Sequence, residues 1–279
     1  MPLKAPEANV TNSHFERLAQ ADFPPFEPGS VWLVGAGPGG PGLLTLLAYS
    51  ALGRADVIVH DALVSPEILA LAPDHIQRIH AGKRGGKPSP KQADITISLI
   101  DLARQGKRVL RLKGGDPFMF GRGGEEAGEL ARAGIPFRIV PGISAGLGGL
   151  AYAGLPVTHR DANHTVLFLT GHDETGTVPS AVDWSAVARA APVIVMFMAV
   201  KHLPVIAARL LESGREPDET LIIVAHAASP EQSVIETGLG QAGAMTGLPT
   251  PAIVVLGPVA RYRKSLDWYV GQARRHVFG

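Results

Sequence analysis

The densest chemistry in this sequence lies between Arg111 and Glu126, which reads Arg-Leu-Lys-Gly-Gly-Asp-Pro-Phe-Met-Phe-Gly-Arg-Gly-Gly-Glu-Glu. Gly114 and Gly115 follow an apolar run, and a backbone without Cβ atoms can approach a ligand closely. Asp116 then offers a carboxylate to hydroxyl or amino groups, Pro117 stiffens the turn, and Phe118, Met119 and Phe120 bring flat, polarizable surface. The recipe suits a pocket for a small ligand with polar and apolar parts. A strand-to-helix loop with Asp116 as its cap has the same pattern.

A second glycine loop, Gly35-Ala36-Gly37-Pro38-Gly39-Gly40, formally matches the G-x-G-x-x-G of dinucleotide folds, and Asp61 stands where such folds keep a ribose carboxylate. An NAD(P)-dependent oxidoreductase is therefore the rival reading from another class. Pro38 and Pro41 weigh against it, because a pyrophosphate needs backbone N–H groups that proline lacks. A phosphate loop is excluded at Gly86-Lys87, since Ala81 stands where its first glycine belongs. Lys83, Arg84, Lys87, Lys91, Arg108, Arg111, Lys113 and Arg122 cluster, several at predicted strand ends, which suits a polyanionic small substrate. His159, His164, His172, His202 and His226 are dispersed without ligand spacing, so no metal site is expected.

These residues need elements to hold them. Strands are predicted at Val31–Val34, Val57–His60, Ile76–Ile79, Val109–Leu112 and Phe137–Val140, with helices at Leu43–Leu52, from Ser65-Pro66-Glu67, at Gln92–Arg104 and at Glu125–Ala133. Ser144 to Gly154 is rich in small residues, and a helix there must be held by close tertiary packing. Further strands are predicted at Thr165–Thr170, Pro192–Met198, Leu221–Val224, Ser233–Thr237 and Ala252–Leu256, with a helix at Leu203–Leu211. The pattern predicts an α/β protein of two α/β domains: an arm at 1–29, one domain at 30–142 and one at 143–279.

Composition narrows the function classes. With 279 residues, 46% of them hydrophobic and 18% charged, the chain can fill real cores. A net charge of +1 argues against a general nucleic-acid partner. The absence of cysteine excludes disulfides, thiolate zinc and thiol catalysis, and makes a cytoplasmic location the expectation. Met1 to Phe26 lacks the apolar centre of a signal peptide, and no apolar run is long enough to span a bilayer, so no membrane partner is expected.

Several stretches, taken in order, resemble one family. They are Val34 to Gly39, Val59 to Ser65, Gly82 to Gly86, Arg111 to Glu126, Val140 to Ile143, and Ala151 to Arg160. Together they are similar to the S-adenosylmethionine-dependent tetrapyrrole methylases, and among these to the members that act on uroporphyrinogen III. The likeness runs from about Val31 to Leu256.

The resemblance implies two α/β domains with the cofactor S-adenosylmethionine in the cleft between them, a homodimer, and transfer of two methyl groups to C2 and C7 of uroporphyrinogen III. S-adenosylhomocysteine would be the by-product and precorrin-2, formed through precorrin-1, the product. A methylase of a later corrin intermediate is the rival inside the family. Matched position by position, Pro38, Gly114, Gly115, Asp116, Met119, Ser144, Ala145, Met198 and Ala227 would line the cofactor. Asp61 falls at the family's proton acceptor and Lys83 at its proton donor, while Arg111 would anchor substrate carboxylates or assist proton movement. Asp61 as a strand-end cap and Lys83 as a plain carboxylate clamp remain open. The chain departs from the family at Gly40, where aspartate is usual, at Ser144-Ala145, where threonine usually comes first, and at His226-Ala227-Ala228, where Asn-Gly-Thr is common. With no dehydrogenase or ferrochelatase extension in sight, methylation alone is expected.

Overall fold

A computed structural model of the chain describes residues 22–82, 92–173 and 175–269. Five strands, β1 (Val31–Gly35), β2 (Val57–His60), β3 (Gln77–His80), β4 (Val109–Lys113) and β5 (Phe137–Val140), form one sheet in the order β3-β2-β4-β1-β5. Every neighbouring pair is parallel. The three inner strands are buried along their whole length, because helices cover both faces of a parallel sheet. Trp32, Val34, Ile58, Leu110 and Leu112 pack on one face, and Val31, Leu33, Val57, Val59 and Val109 on the other.

This order separates the sheet from the dinucleotide fold, whose strands run 3-2-1-4-5-6. Here β4 is inserted between β2 and β1. The neighbours β1 and β4 send their connections to opposite edges, which leaves a crevice beyond their C-terminal ends.

A second sheet holds β6 (Val166–Thr170), β7 (Val193–Phe197), β8 (Thr220–Ala225), β9 (Ser233–Gly238) and β10 (Ala252–Leu256) in the order β6-β7-β10-β8-β9. Only β6 and β7 run parallel; the other pairs are antiparallel. Its two faces bury Ile194, Met196, Leu221 and Val254 on one side and Val195, Ile222, Val224 and Val255 on the other.

Helix starts follow their caps. The helix Leu46–Leu52 begins later than apolar spacing predicts, because Thr45 accepts from Ala48 N at 3.2 Å while Pro41–Leu43 form a separate tight turn. Ser65 caps Pro66–Leu69 as its type predicts, accepting from Ile68 N at 3.3 Å. The helix Gly123–Arg132 starts two residues before Glu125, since Gly123 N reaches back to Pro117 O at 2.9 Å. Trp184–Ala190 was not visible in apolar spacing; its marker is the cap Asp183, which accepts from Ala186 N at 2.9 Å.

The small-residue segment is helical, with a wide turn at Ala145–Gly149 continuing into Leu150–Tyr152. Its glycines are required by the second sheet: a Cβ at Gly146 would lie 2.5 Å from Phe197 Cζ, and one at Gly149 would lie 2.8 Å from Ala227 Cβ. Close packing replaces the propensity that glycine lacks.

Three backbone segments also converge where the first sheet meets this segment. A Cβ at Gly35 would sit 2.5 Å from Gly142 Cα and 2.6 Å from Gly115 O. Neither neighbour is a side-chain end that can swing away. Gly35→Ala is expected to lower unfolding free energy by about 2 kcal/mol or more in a denaturant titration. Gly124→Ala, where a Cβ would meet nothing within 4 Å, is expected to be neutral or stabilising.

Candidate functional site

The loops leaving β1, β2 and β4 and those leaving β7 and β8 enclose one cavity of about 650 Å³. Its first-sheet wall starts with Gly37, Pro38 and Gly39. Ala36 N donates to Lys113 O at 2.8 Å, and Gly37 and Gly115 exchange backbone hydrogen bonds at 3.1 and 3.0 Å. These amides are therefore unavailable to a pyrophosphate, which removes the physical basis of the nicotinamide reading. Gly39 lies against Ala228 of the second sheet's loop, leaving no room for a Cβ.

Every described residue that the resemblance assigned to the site lines this cavity. Pro38, Asp61, Arg111, Gly114, Gly115, Asp116 and Met119 come from the first sheet's loops, Ser144 and Ala145 from the glycine-rich segment, and Met198 and Ala227 from the second sheet. Lys83 lies outside the described residues, as do Arg84, Lys87 and Lys91.

Strand alternation builds the charged wall. Val57, Val59 and Asp61 fall on one face of β2 and its extension, beside Val109, Arg111 and Lys113 on the same face of β4, with Val59 opposite Arg111. The helix Gly123–Arg132 covers that face and lowers Glu126 onto it. Arg111 NH2 donates to Asp61 Oδ1 at 2.5 Å, and Arg111 Nε donates to Glu126 Oε1 at 3.0 Å. Lys113 Nζ donates to Glu126 Oε2 at 3.0 Å and stands 3.9 Å from Asp61 Oδ2. Two cations thus face two carboxylates, and of the four only Asp61, 30% exposed, reaches the cavity's solvent. Burial alone would lower the Arg111 pKa, but the charges of Asp61 and Glu126 outweigh it and leave it raised. For Lys113, burial and then the Arg111 charge prevail, and its pKa is lowered.

This geometry corrects several sequence expectations. Arg111 is 1% exposed and engaged by Asp61 and Glu126, a geometry that sits better with assisting proton movement than with anchoring a substrate carboxylate. Arg108 leaves the basic cluster altogether: it pairs with Asp56 at 3.2 Å, at the opposite end of β4. Among the described cations, Arg122 remains at the cavity rim, paired with Glu125 at 2.6 Å and half exposed. The Asp116 carboxylate is a scaffold, accepting from Phe118 N at 2.8 Å and from Gly142 N at 3.0 Å. Phe118 and Phe120 are 56% and 37% exposed, and Phe120 lines the cavity, in keeping with the pocket reading, with its ring 5.0 Å from that of Phe197.

Glu126 escaped the sequence reading although a signal for it exists. It lies four residues before Leu130 on the buried face of its helix, so its carboxylate had to meet a buried cation. Phe197, His226 and Glu231 also line the cavity. Nothing in their local spacing marks them.

Backbone strain is concentrated here. Among the described residues, Phe120, Arg122, Met198, His226 and Ala228 are the non-glycine residues with positive φ. Four of them line the cavity, and Ala228 abuts Gly39. Conformations of this kind cost about 1–3 kcal/mol each and persist where surrounding structure enforces them.

Comparison with known proteins agrees with this geometry. The profile of the tetrapyrrole (corrin/porphyrin) methylases matches residues 30–243. A uroporphyrinogen-III C-methyltransferase from a Sinorhizobium species is 61% identical over 251 residues, covering 89% of this chain and 90% of that protein. A siroheme synthase from Pseudomonas fluorescens is 44% identical over 89% of this chain, but the chain spans only 54% of that protein's length. Among solved structures, the uroporphyrin-III C-methyltransferase of Thermus thermophilus in complex with S-adenosylhomocysteine superposes with a TM-score of 0.74 at 40% identity, covering 83% of this chain and 99% of that one.

Asp116 ties the ledge at Gly114-Gly115 to the start of the glycine-rich segment through Gly142. Asp116→Ala is expected to weaken S-adenosylhomocysteine binding at least about tenfold in calorimetry and to lower stability by about 2 kcal/mol. An unchanged affinity would mean that the ledge holds itself.

Proposed function

This chain belongs to the tetrapyrrole (corrin/porphyrin) methylases, and from that premise we propose that it transfers two methyl groups from S-adenosylmethionine to C2 and C7 of uroporphyrinogen III, giving precorrin-2 through precorrin-1. The observation that carries this reading is the gathering of every described site residue around one cavity between the two sheets. The residues present fit the cofactor. Gly114 and Gly115 give a ledge without Cβ atoms, while Met119, Ala145, Met198 and Ala227 give apolar contacts, and the cavity's volume is ample for a nucleoside-sized ligand. When bound, S-adenosylmethionine supplies an electrophilic methyl group on a sulfonium.

The chain's own work is alignment and proton transfer. An electron-rich pyrrole carbon must be held in line with the methyl group, close enough to attack. The new carbon–carbon bond would form at that ring carbon as the bound sulfonium gives up its methyl group and keeps the bonding electron pair. The macrocycle carries the positive charge until a proton leaves it. Asp61, whose side chain is 30% exposed at the cavity wall, accepts that proton, and Arg111 holds its carboxylate in place. Lys83 follows directly on Gly82, whose N donates to His80 Nδ1 at 3.2 Å, and serves as a proton donor or as a clamp for substrate carboxylates.

We extend the proposal to a homodimer working in the cytoplasm. A second, apolar groove of about 540 Å³ carries the exposed side chains of Leu147, Leu266 and Trp268, a surface that suits a second copy of the chain. Among the described residues no helix is long and apolar enough to cross a membrane. The division into arm and two domains near Gly142 belongs to the same proposal.

Incubation with uroporphyrinogen III and methyl-labelled S-adenosylmethionine is expected to give a product carrying two labelled methyl groups. Transfer to a later corrin intermediate in preference to uroporphyrinogen III would overturn the substrate assignment. Asp61→Asn is expected to lower kcat at least about 100-fold while changing S-adenosylhomocysteine affinity less than about threefold. Comparable losses in both would remove Asp61 from proton transfer. Light scattering is expected to give twice the chain mass, and Trp268→Glu to give a monomer.

A further inference from the structure

Two buried charges beside Asp61, Lys113 and Glu126, have no part in the reading above. The two oxygens of Asp61 have different surroundings. Oδ1 accepts from Arg111, whereas Oδ2 has no hydrogen-bond partner among the described residues and stands 3.9 Å from Lys113 Nζ. Lys113 is drawn back by Glu126 Oε2 at 3.0 Å, and the other oxygen of Glu126 is occupied by Arg111 Nε at 3.0 Å. Glu126 is fully buried and the Lys113 side chain is 3% exposed, so neither charge is screened by water as a surface charge would be.

We propose that Lys113 and Glu126 are positioning residues that set the basicity of Asp61 Oδ2 from behind, with Glu126 holding the ammonium short of a hydrogen bond to that oxygen. This rests on the reading of Asp61 as the proton acceptor. A direct hydrogen bond from Lys113 would stabilise the ionised carboxylate and block the oxygen that must take the proton. Held at 3.9 Å, the ammonium still favours the ionised form while leaving Oδ2 open to the cavity. Arg111 alone cannot do both, because it occupies Oδ1. Among the described residues, the remaining titratable groups facing Asp61 are His60 and, behind it, His80. His60 Nδ1 donates to the Asp61 carbonyl at 3.2 Å, and the His60 and His80 rings meet edge-on at 5.1 Å.

The two residues carry opposite charge, so their removal acts in opposite directions. Asp61 must carry its charge to accept a proton, so the acid limb of the kcat profile reads the charges placed around its carboxylate. Lys113→Met removes the cation 3.9 Å from Asp61 Oδ2 and is expected to move the acid limb of the kcat profile up by about one pH unit. Glu126→Gln removes an anion and is expected to move the limb down by a similar amount. Lys113→Arg keeps the charge but has the reach and fork geometry to hydrogen-bond Oδ2, so it is expected to move the limb down and to lower kcat about tenfold.

The experiment is kcat against pH for these three variants of the full chain, with S-adenosylhomocysteine binding measured on each. His60→Gln is the control, expected to keep the limb in place. Unmoved limbs, or shifts of Lys113→Met and Glu126→Gln in the same direction, would overturn the inference. If those two neutral variants do not fold, Lys113→Arg decides, and a wild-type limb in that variant overturns it. Failure of the underlying reading looks different: Asp61→Asn would then retain both the wild-type limb and the wild-type rate.

Discussion

The site depends on one buried guanidinium. Arg111 sits in the middle strand of a parallel sheet at 1% exposure, a position where an unpaired charge would cost several kcal/mol. It is retained because two elements distant in sequence bring it carboxylates: Asp61 from the end of β2 and Glu126 from the helix Gly123–Arg132. Each partner is fixed by the other's presence. The same pairing that satisfies Arg111 aims Asp61 at the cavity, so the packing of the first sheet and the orientation of its proposed base are one problem with one solution. Hydrophobic replacements of similar volume could fill that space with no loss of stability. What the ion cluster contributes beyond packing is a carboxylate of fixed orientation.

Backbone shapes the other half of the cavity. Gly35, Gly115 and Gly142 meet main chain against main chain, and Asp116 bridges the turn and Gly142 with its two oxygens. This brings the Gly114-Gly115 ledge within reach of the glycine-rich segment, which in turn packs on Phe197 and Ala227. The five strained residues at the cavity mark where the second sheet's loops and the Arg111–Glu126 loop bend toward a shared ligand space. Charge and backbone therefore divide the work. The charged wall orients the proposed proton acceptor, and the glycine ledge is proposed to accommodate a nucleoside-sized group.

Much of this was legible in the sequence, for physical reasons that can be named. Strands β2 and β10 and the helix Gln92–Arg104 coincide with the spans read from apolar runs, because inner strands are apolar on both faces, and the edge strand β5 coincides through its punctuation at Gly134 and Pro141-Gly142. The cavity lining was legible through a resemblance spread over many short stretches, which no single motif would have supplied. What spacing could not show is which charges are buried. Arg111 read as an anchor for substrate carboxylates or an aid to proton movement and Asp116 as a ligand contact; in the fold the first pairs with Asp61 and Glu126, and the second also accepts from two backbone N–H groups. Strand pairing decides this, since Val59 faces Arg111 across a gap of fifty-two residues, and nothing local encodes that partner. Phe120 lines the cavity as its aromatic type beside the glycines suggests, but the positive φ that turns it there is not legible in the sequence.

In the proposed reaction Arg111 serves Asp61, and Asp61 Oδ2 serves the macrocycle. A crystal structure with S-adenosylhomocysteine and the unreactive oxidised substrate, uroporphyrin III, tests it most directly. The account predicts the sulfur over the Gly114-Gly115 ledge, the Arg111–Asp61 pair intact, and Asp61 Oδ2 facing the macrocycle edge. A structure in which Arg111 has left Asp61 to bind a substrate carboxylate would contradict it.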